Sequence, residues 1–148
     1  MLLKNYKKIQ NLKNLVFYPK KKNDFVEVNL ELLKCIKIAA KVNRQNVFLC
    51  MHNSPKDKFH NMIIFLWKGT HYTMHKHKKK EEIINIITGK KRINIHNLNG
   101  RLIKKVILDA KNNPIIRINK NKFHSVEVLS KFVIYHEIKQ GPFNSKNK

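Results

Sequence analysis

Residues 69–89 read GTHYTMHKHKKKEEIINIITG and place two histidines and a carboxylate between two glycines. His75 and His77 are two residues apart, so on an extended strand their side chains point to the same side. Glu82 follows as a charged oxygen ligand, and His124 comes later in the chain, just after a turn. Three neutral imidazoles and one carboxylate suit a divalent transition metal, with coordination positions left open for water or substrate. We therefore predict a metal site formed by these four side chains.

A second interpretation of the same stretch is a solvated, charged loop. In that interpretation the histidines are only part of the basic run at residues 76–80. However, an apolar run follows directly at residues 83–87, and such a run indicates a buried strand. The neighbourhood of a buried strand favours the metal site over the loop.

Length and composition indicate one globular domain. The chain has 148 residues, of which 42% are hydrophobic, enough for a core. No apolar run approaches the roughly eighteen residues of a membrane span, and the first residues lack the apolar centre of a secretion signal. Cys35 and Cys50 have no metal-like spacing and are too few for a disulfide scaffold. We expect a cytoplasmic protein that does not enter a membrane.

The formal charge of +23 raises the hypothesis of a nucleic-acid-binding protein. Nearly all of the excess is lysine, whereas proteins that clamp phosphates in pairs favour the forked donors of arginine. The lysines are spread from end to end, and asparagine and isoleucine, which share AT-rich codons with lysine, are also abundant. The charge is thus explained by codon composition, and we expect no specific nucleic-acid partner.

The order of apolar patterns predicts a helix followed by many short strands. Asn29 is a candidate N-cap, and residues 30–42 have helical spacing of apolar side chains. Residues 25–28 are a candidate strand before that helix. From residue 47 onward, short strands alternate with turns such as Asn99-Gly100, which is typical of an all-β barrel or sandwich.

Several motifs resemble the cupin superfamily, and in particular the WbuC-type cupin-fold metalloproteins. Residues 69–77 resemble their first motif, G-x-x-Y-x-P-H-R-H, and residues 118–124 their second, I-P-x-G-x-W-H. Residues 97–102 match a D-x-x-G-x-V turn, and residues 137–143 match a closing E-x-K-x-G-P-Y. Asn121 stands where the second motif has glycine, and asparagine tolerates the left-handed conformation of such a turn.

The resemblance implies a mainly β fold, a cupin double-stranded β-helix (jelly-roll barrel) with an N-terminal α-helical extension. Residues 1–50 would form the extension, packed on a barrel of residues 51–148. The implied ligands are those named above; Glu81 competes with Glu82 because the family motif tolerates either gap, but only Glu82 leaves six residues before Gly89. The metal would be one divalent ion of iron, manganese, nickel, cobalt or zinc.

The implied function is less specific than the implied fold. WbuC-like proteins are associated with surface-polysaccharide gene sets, which implies a small anionic or sugar-derived substrate and an enzyme of unknown reaction. Tyr72, His136 and Arg117 are candidate substrate-binding residues. Family analogy also implies a homodimer. The alternatives are a non-catalytic, metal-dependent binding or sensor module and a basic nucleic-acid-binding protein.

Overall fold

Residues 2–11 and 13–143 are described by the structure, a computed structural model. Within these residues a short 3₁₀ turn (Leu2–Asn5) precedes one helix and eleven strands. In chain order these are β1 (Tyr6–Gln10), β2 (Asn14–Pro19), α1 (Leu30–Asn43), β3 (Asn46–Cys50), β4 (Phe59–Trp67), β5 (His71–His75), β6 (Glu82–Thr88), β7 (Lys90–His96), β8 (Leu102–Asp109), β9 (Ile115–Ile118), β10 (Phe123–Val128) and β11 (Phe132–Gln140). The predicted mainly β fold with one N-terminal helix is confirmed.

The strands form two sheets that face each other. The larger sheet has the order β1-β2-β3-β4-β11-β6-β9, and the smaller has the order β5-β10-β7-β8. Apolar side chains from both sheets, such as Ile64 and Tyr135 from the larger and Ile93 and Val126 from the smaller, form one buried cluster between them. This space between the sheets is the barrel interior, and alternate residues of each strand face it.

Helix α1 covers the outer face of the larger sheet. The side chain of Asn29 accepts a hydrogen bond from the backbone N–H of Leu32 at 3.0 Å, which confirms the predicted N-cap. Leu32, Ile36 and Ala40 form the buried face of the helix and pack in a second apolar cluster with residues of β2, β3, β4 and β11. None of the described residues forms a helix with the length and apolar character needed to cross a membrane.

The N-terminal strands differ from the sequence prediction. Strands β2 and β3 pair in parallel, and α1 supplies the crossover that a parallel pair requires. Residues 25–28, predicted as a strand, have no regular structure, and the Phe25 side chain is exposed. That prediction was wrong because β2 and β3 pair directly with each other and leave no neighbour for a strand between them. Residues 6–10 form β1, which pairs with β2 in antiparallel orientation.

One end of the barrel interior is polar, and the next layers are apolar. In the larger sheet Lys139 lies opposite both His60 on β4 and Glu82 on β6. Two residues further along β11, Glu137 lies opposite Met62 and Ile84, and beyond it Tyr135 lies opposite Ile64 and Ile86. His52 continues the polar row beyond His60, since the two imidazoles stack with centroids 4.1 Å apart. Candidate ligand Glu82 thus belongs to a row of ionisable side chains.

Candidate metal centre

Three histidines converge at the polar end of the barrel interior. His75, His77 and His124 each offer a nitrogen, and these nitrogens all lie within 4.8 Å of one another. His75 and His124 are direct cross-strand partners on β5 and β10, so their side chains leave the smaller sheet on the same face. Metal–nitrogen bonds of about 2.0–2.1 Å place ligand atoms about 3–4 Å apart, so the three imidazoles need only a small contraction to share one ion.

The backbone orients two of the imidazoles. Nδ1 of His75 lies 2.8 Å from the carbonyl oxygen of Thr73, and Nδ1 of His124 lies 2.9 Å from that of Lys122. A carbonyl oxygen only accepts, so each Nδ1 carries the proton and donates. In the neutral ring, Nε2 is then left with a free lone pair, as metal ligation requires.

Glu82 approaches the cluster from β6 of the larger sheet. Its carboxylate oxygens lie 2.8 Å from Nε2 of His124 and 3.5 Å from Nε2 of His77, and the residue is buried. Burial alone would raise the pKa of Glu82, but the two imidazoles hold it well below its usual range. Glu81, the competing candidate, is less buried, and its backbone N–H binds the side chain of Gln140.

The donor set fits a cation. Nε2 of His124 is buried and has no hydrogen bond of good geometry among the described residues, although Oε1 of Glu82 is 2.8 Å away. A lone-pair nitrogen and a carboxylate oxygen are both acceptors, so they are favourable neighbours only with a positive charge between them. A proton or a metal ion supplies that charge. A metal would be held by His75, His77, His124 and Glu82.

The local backbone explains how this strand presents its side chains. Strand β5 ends at His75, which pairs with His124 near the start of β10, so His77 lies just beyond the strand. A single hydrogen bond from the N–H of Asn121 to the carbonyl of His77, 2.8 Å long, holds the chain beyond the strand. Asn121 has a φ of 61°, so it adopts the left-handed conformation that the sequence required of this turn.

A β-bulge brings Tyr72 to the same face as His75. His75 pairs with His124, whereas Tyr72 pairs with Val126. A separation of three positions on β5 therefore matches a separation of two positions on β10, which defines the bulge. Both His124 and Val126 face the barrel interior, and their cross-strand partners therefore do too. Burial and, to a smaller extent, the carboxylate of Glu137 raise the pKa of Tyr72 to about 12. The phenol therefore keeps its proton at neutral pH, and it lies close enough to Glu137 and Lys139 for their charges to act on it.

The other two predicted substrate-binding residues are not brought to the cluster. His136 and Glu137 lie on opposite faces of β11, and Glu137 is the one that faces the interior. His136 points towards the outer face of the larger sheet, where its Nε2 contacts the side-chain oxygen of Asn61. Arg117 is exposed on the outer face of β9, opposite Ile83.

The structure brings three charged residues into the barrel interior that are not among the predicted ligands or substrate-binding residues. Glu137 and Lys139 form an ion pair of 2.7 Å in the polar end of the barrel. Lys91 is buried, and its ammonium lies 3.5 Å from the centre of the Tyr135 ring. The signal for Lys91 was present, because it alternates with the inward-facing Ile93 and Ile95 along β7. Glu137 and Lys139 belong to the closing motif at residues 137–143.

Part of the chain matches a known domain family. Residues 29–108, more than half of the chain, match the family described as domain of unknown function (DUF6016). The chain belongs to this family. The matched region contains α1, strands β3 to β7 and all but the last residue of β8. It includes His75, His77 and Glu82 but ends before His124. No curated protein matches the chain by sequence.

Solved structures show which fold this chain shares. The chain superposes on the capsular polysaccharide assembling protein CapF from Staphylococcus aureus with a TM-score of 0.54 and 17% identity, over 62% of this chain and 25% of that one. KdgF from Halomonas sp. gives 0.54 and 11% over 87% and 94% of the two chains. The cupin domain of Schizosaccharomyces pombe Cnp3 gives 0.52 and 10% over 64% of each.

These similarities confirm the predicted cupin fold. The chain spans only a quarter of the CapF chain, but it covers nearly all of KdgF. At such low identity the likeness concerns the fold alone. The narrower WbuC-type resemblance rests on the sequence motifs given above.

Proposed function

We propose that this protein is a metal-dependent cupin that binds one divalent transition ion through His75, His77, His124 and Glu82. The convergence of three imidazole nitrogens within 4.8 Å, closed by a buried carboxylate, carries the proposal. When bound, such an ion acts as a Lewis acid towards a ligand oxygen or water. The chain's own contribution is to hold the imidazoles in the right tautomer and to keep the carboxylate out of bulk water.

The proposed metal is iron, manganese, nickel, cobalt or zinc. Imidazole suits several of these ions, and a single carboxylate adds a harder ligand without excluding any of them. Magnesium and calcium are poorer candidates because they prefer all-oxygen sites. The donor set therefore defines the class of ion.

We also propose a small anionic or sugar-derived substrate in surface-polysaccharide biosynthesis. The WbuC-type motifs support this proposal, and the fold shared with CapF, named as a capsular polysaccharide assembling protein, agrees with it. Tyr72 is the predicted substrate-binding residue that faces the cluster. Residues 1–50 would act as an extension on one barrel, and the protein would function as a cytoplasmic homodimer.

Metal content tests the proposal directly. We expect protein purified without a histidine tag to contain close to one equivalent of a transition metal, measured by elemental analysis. His77→Ala should lower that content sharply, because it removes an imidazole from the cluster without touching a buried core position. Near-equal metal content in His77→Ala and wild type would contradict the proposed ligands.

His71→Ala is the matched control. His71 belongs to the same strand but is exposed and lies opposite Glu127 on the outer face. We expect its metal content to match that of wild type. Circular dichroism of both variants should show the wild-type β signal, so that loss of metal is separated from loss of fold.

A further inference from the structure

The Glu137–Lys139 pair is unusual in its position. Both side chains face the barrel interior from β11. Lys139 lies in the row that contains Glu82, and Glu137 lies in the next row. Buried ion pairs seldom stabilise a core more than apolar side chains would, because both charges lose their hydration. The next inward residues of β11, Tyr135 and Val133, belong to the apolar cluster. A charged pair here therefore indicates a role other than packing.

With a divalent ion bound, the barrel interior would lack negative charge. Two lysines, Lys91 and Lys139, and two glutamates, Glu82 and Glu137, face it, and their charges cancel. Burial lowers the pKa of Lys91 to about 8, which still leaves it mostly protonated at pH 7. With three neutral imidazoles, a divalent ion would then leave the interior with two uncompensated positive charges. Uncompensated buried charge is costly, and an anionic ligand removes the cost.

The ammonium of Lys139 is the cation that such a ligand can reach. Its side chain is 21% exposed, whereas that of Glu137 is 9% exposed and that of Glu82 is 6% exposed. Lys139 is the direct cross-strand neighbour of Glu82, so it lies beside the metal cluster. Tyr72, 36% exposed on the facing sheet, offers a hydroxyl donor at the same end of the barrel.

We propose that the metal centre takes a small carboxylate ligand, whose carboxylate is bound by the Lys139 ammonium and the Tyr72 hydroxyl. Glu137 holds the ammonium in place and competes with the incoming carboxylate for it. This inference rests on the proposed function, because the ligand's remaining donor would bind the metal held by the histidines. A carboxylate is the class that fits, since Lys139 already binds one in Glu137.

The test uses full-length protein loaded with Co²⁺ and titrated with glycolate. Binding is followed by the visible absorption of the cobalt ion, and ethylene glycol serves as the neutral analogue. We expect glycolate to bind the wild type more tightly than ethylene glycol. Lys139→Met should weaken glycolate binding by at least about tenfold, the typical worth of a charge-assisted hydrogen bond. Lys139→Arg should retain most of the affinity, and Tyr72→Phe should weaken binding to a smaller extent.

The direction in which Glu137→Gln changes the glycolate affinity distinguishes a competing carboxylate from a structural one. It keeps the shape of the side chain but removes the competing charge, so it should tighten glycolate binding while Lys139→Met weakens it. A purely structural role of the pair predicts losses in both variants. Lys105→Met, an exposed lysine on the outer face of β8, is the control and should behave as wild type.

Equilibrium dialysis with Co²⁺ separates this inference from the proposed function. If the wild type binds no Co²⁺, the metal-dependent function itself is wrong. If every variant keeps a full equivalent of Co²⁺ and Lys139→Met binds glycolate as tightly as wild type, the carboxylate site is overturned and the metal centre stands. Tighter binding of inorganic phosphate than of glycolate, with the same dependence on Lys139, would overturn the carboxylate assignment.

Discussion

Nε2 of His124 lies 2.8 Å from Oε1 of Glu82, across the interval between the smaller and the larger sheet. His124 is 1% exposed, and its Nδ1–H donates a hydrogen bond to the backbone carbonyl oxygen of Lys122. The two groups therefore face each other as acceptors unless a proton or a cation lies between them. Under the proposed function, this pair would couple the ionisation of the site to metal binding.

Glu82→Gln should uncouple the pair. Burial alone lowers the pKa of His124, but the Glu82 carboxylate raises it above its ordinary value of 6.5. In the metal-free variant we expect the pKa of His124 to fall below that of the wild type, measured by NMR titration of the ring protons. An unchanged pKa would show that Glu82 does not face this imidazole. The variant should also bind Co²⁺ at least about tenfold more weakly, the cost typical of disturbing a metal site.

Metal affinity should increase with pH through and above pH 6.5. Because the pKa of His124 is raised, its proton competes with the metal below that raised pKa and is gone above it. Burial lowers the pKa of His75, so the proton on His75 competes with the metal at lower pH than the proton on His124 does. Competition dialysis with Co²⁺ between pH 5.5 and 8 measures the slope. An affinity that is flat across this range would contradict the imidazole ligands.

Gly89→Ala should destabilise the barrel more than Gly69→Ala. Both glycines have a positive φ, 86° and 84°, so alanine is strained at either position by about 1–2 kcal/mol. At Gly89 an added Cβ would also lie 2.3 Å from the carbonyl oxygen of Phe132, whereas at Gly69 it meets nothing within 4 Å. Overpacking adds about 1–3 kcal/mol at Gly89. Urea unfolding of the two variants checks the difference, and equal losses would contradict the packing at Gly89.

Ile36→Ala tests whether α1 is part of the same cooperative unit as the barrel. Ile36 is fully buried between the helix and the larger sheet, so its truncation should cost about 2–5 kcal/mol. Ile38, 60% exposed on the same helix, is the control and should lose less than about 0.5 kcal/mol on substitution by alanine. We expect helix and barrel signals to melt together in Ile36→Ala. Two separate transitions would show that residues 1–50 unfold independently.

Local signals in the sequence predicted the helix and most strands well. The Asn29 cap and the apolar spacing after it predicted residues 30–42 as a helix, and the helix extends from Leu30 to Asn43. The short strands expected from residue 47 onward begin with β3 (Asn46–Cys50), because period-two alternation is a property of neighbouring residues. The strand predicted at residues 25–28 was wrong, because their composition suits a strand but strand pairing also requires an available neighbouring strand.

The His-x-His spacing and the position of Glu82 were enough to predict which residues converge, since a strand and a turn relate them over a short distance. The faces on which Tyr72, Lys139 and His136 lie depend instead on the pairing between distant strands. The bulge opposite His124 turned Tyr72 inward, and the register of β11 against β6 placed Lys139 beside Glu82 while sending His136 to the other face. A shift of one residue in either register would reverse those faces, and no local pattern specifies it. The local sequence therefore predicts which residues are candidate ligands, whereas the pairing of distant strands decides which charged residues surround them.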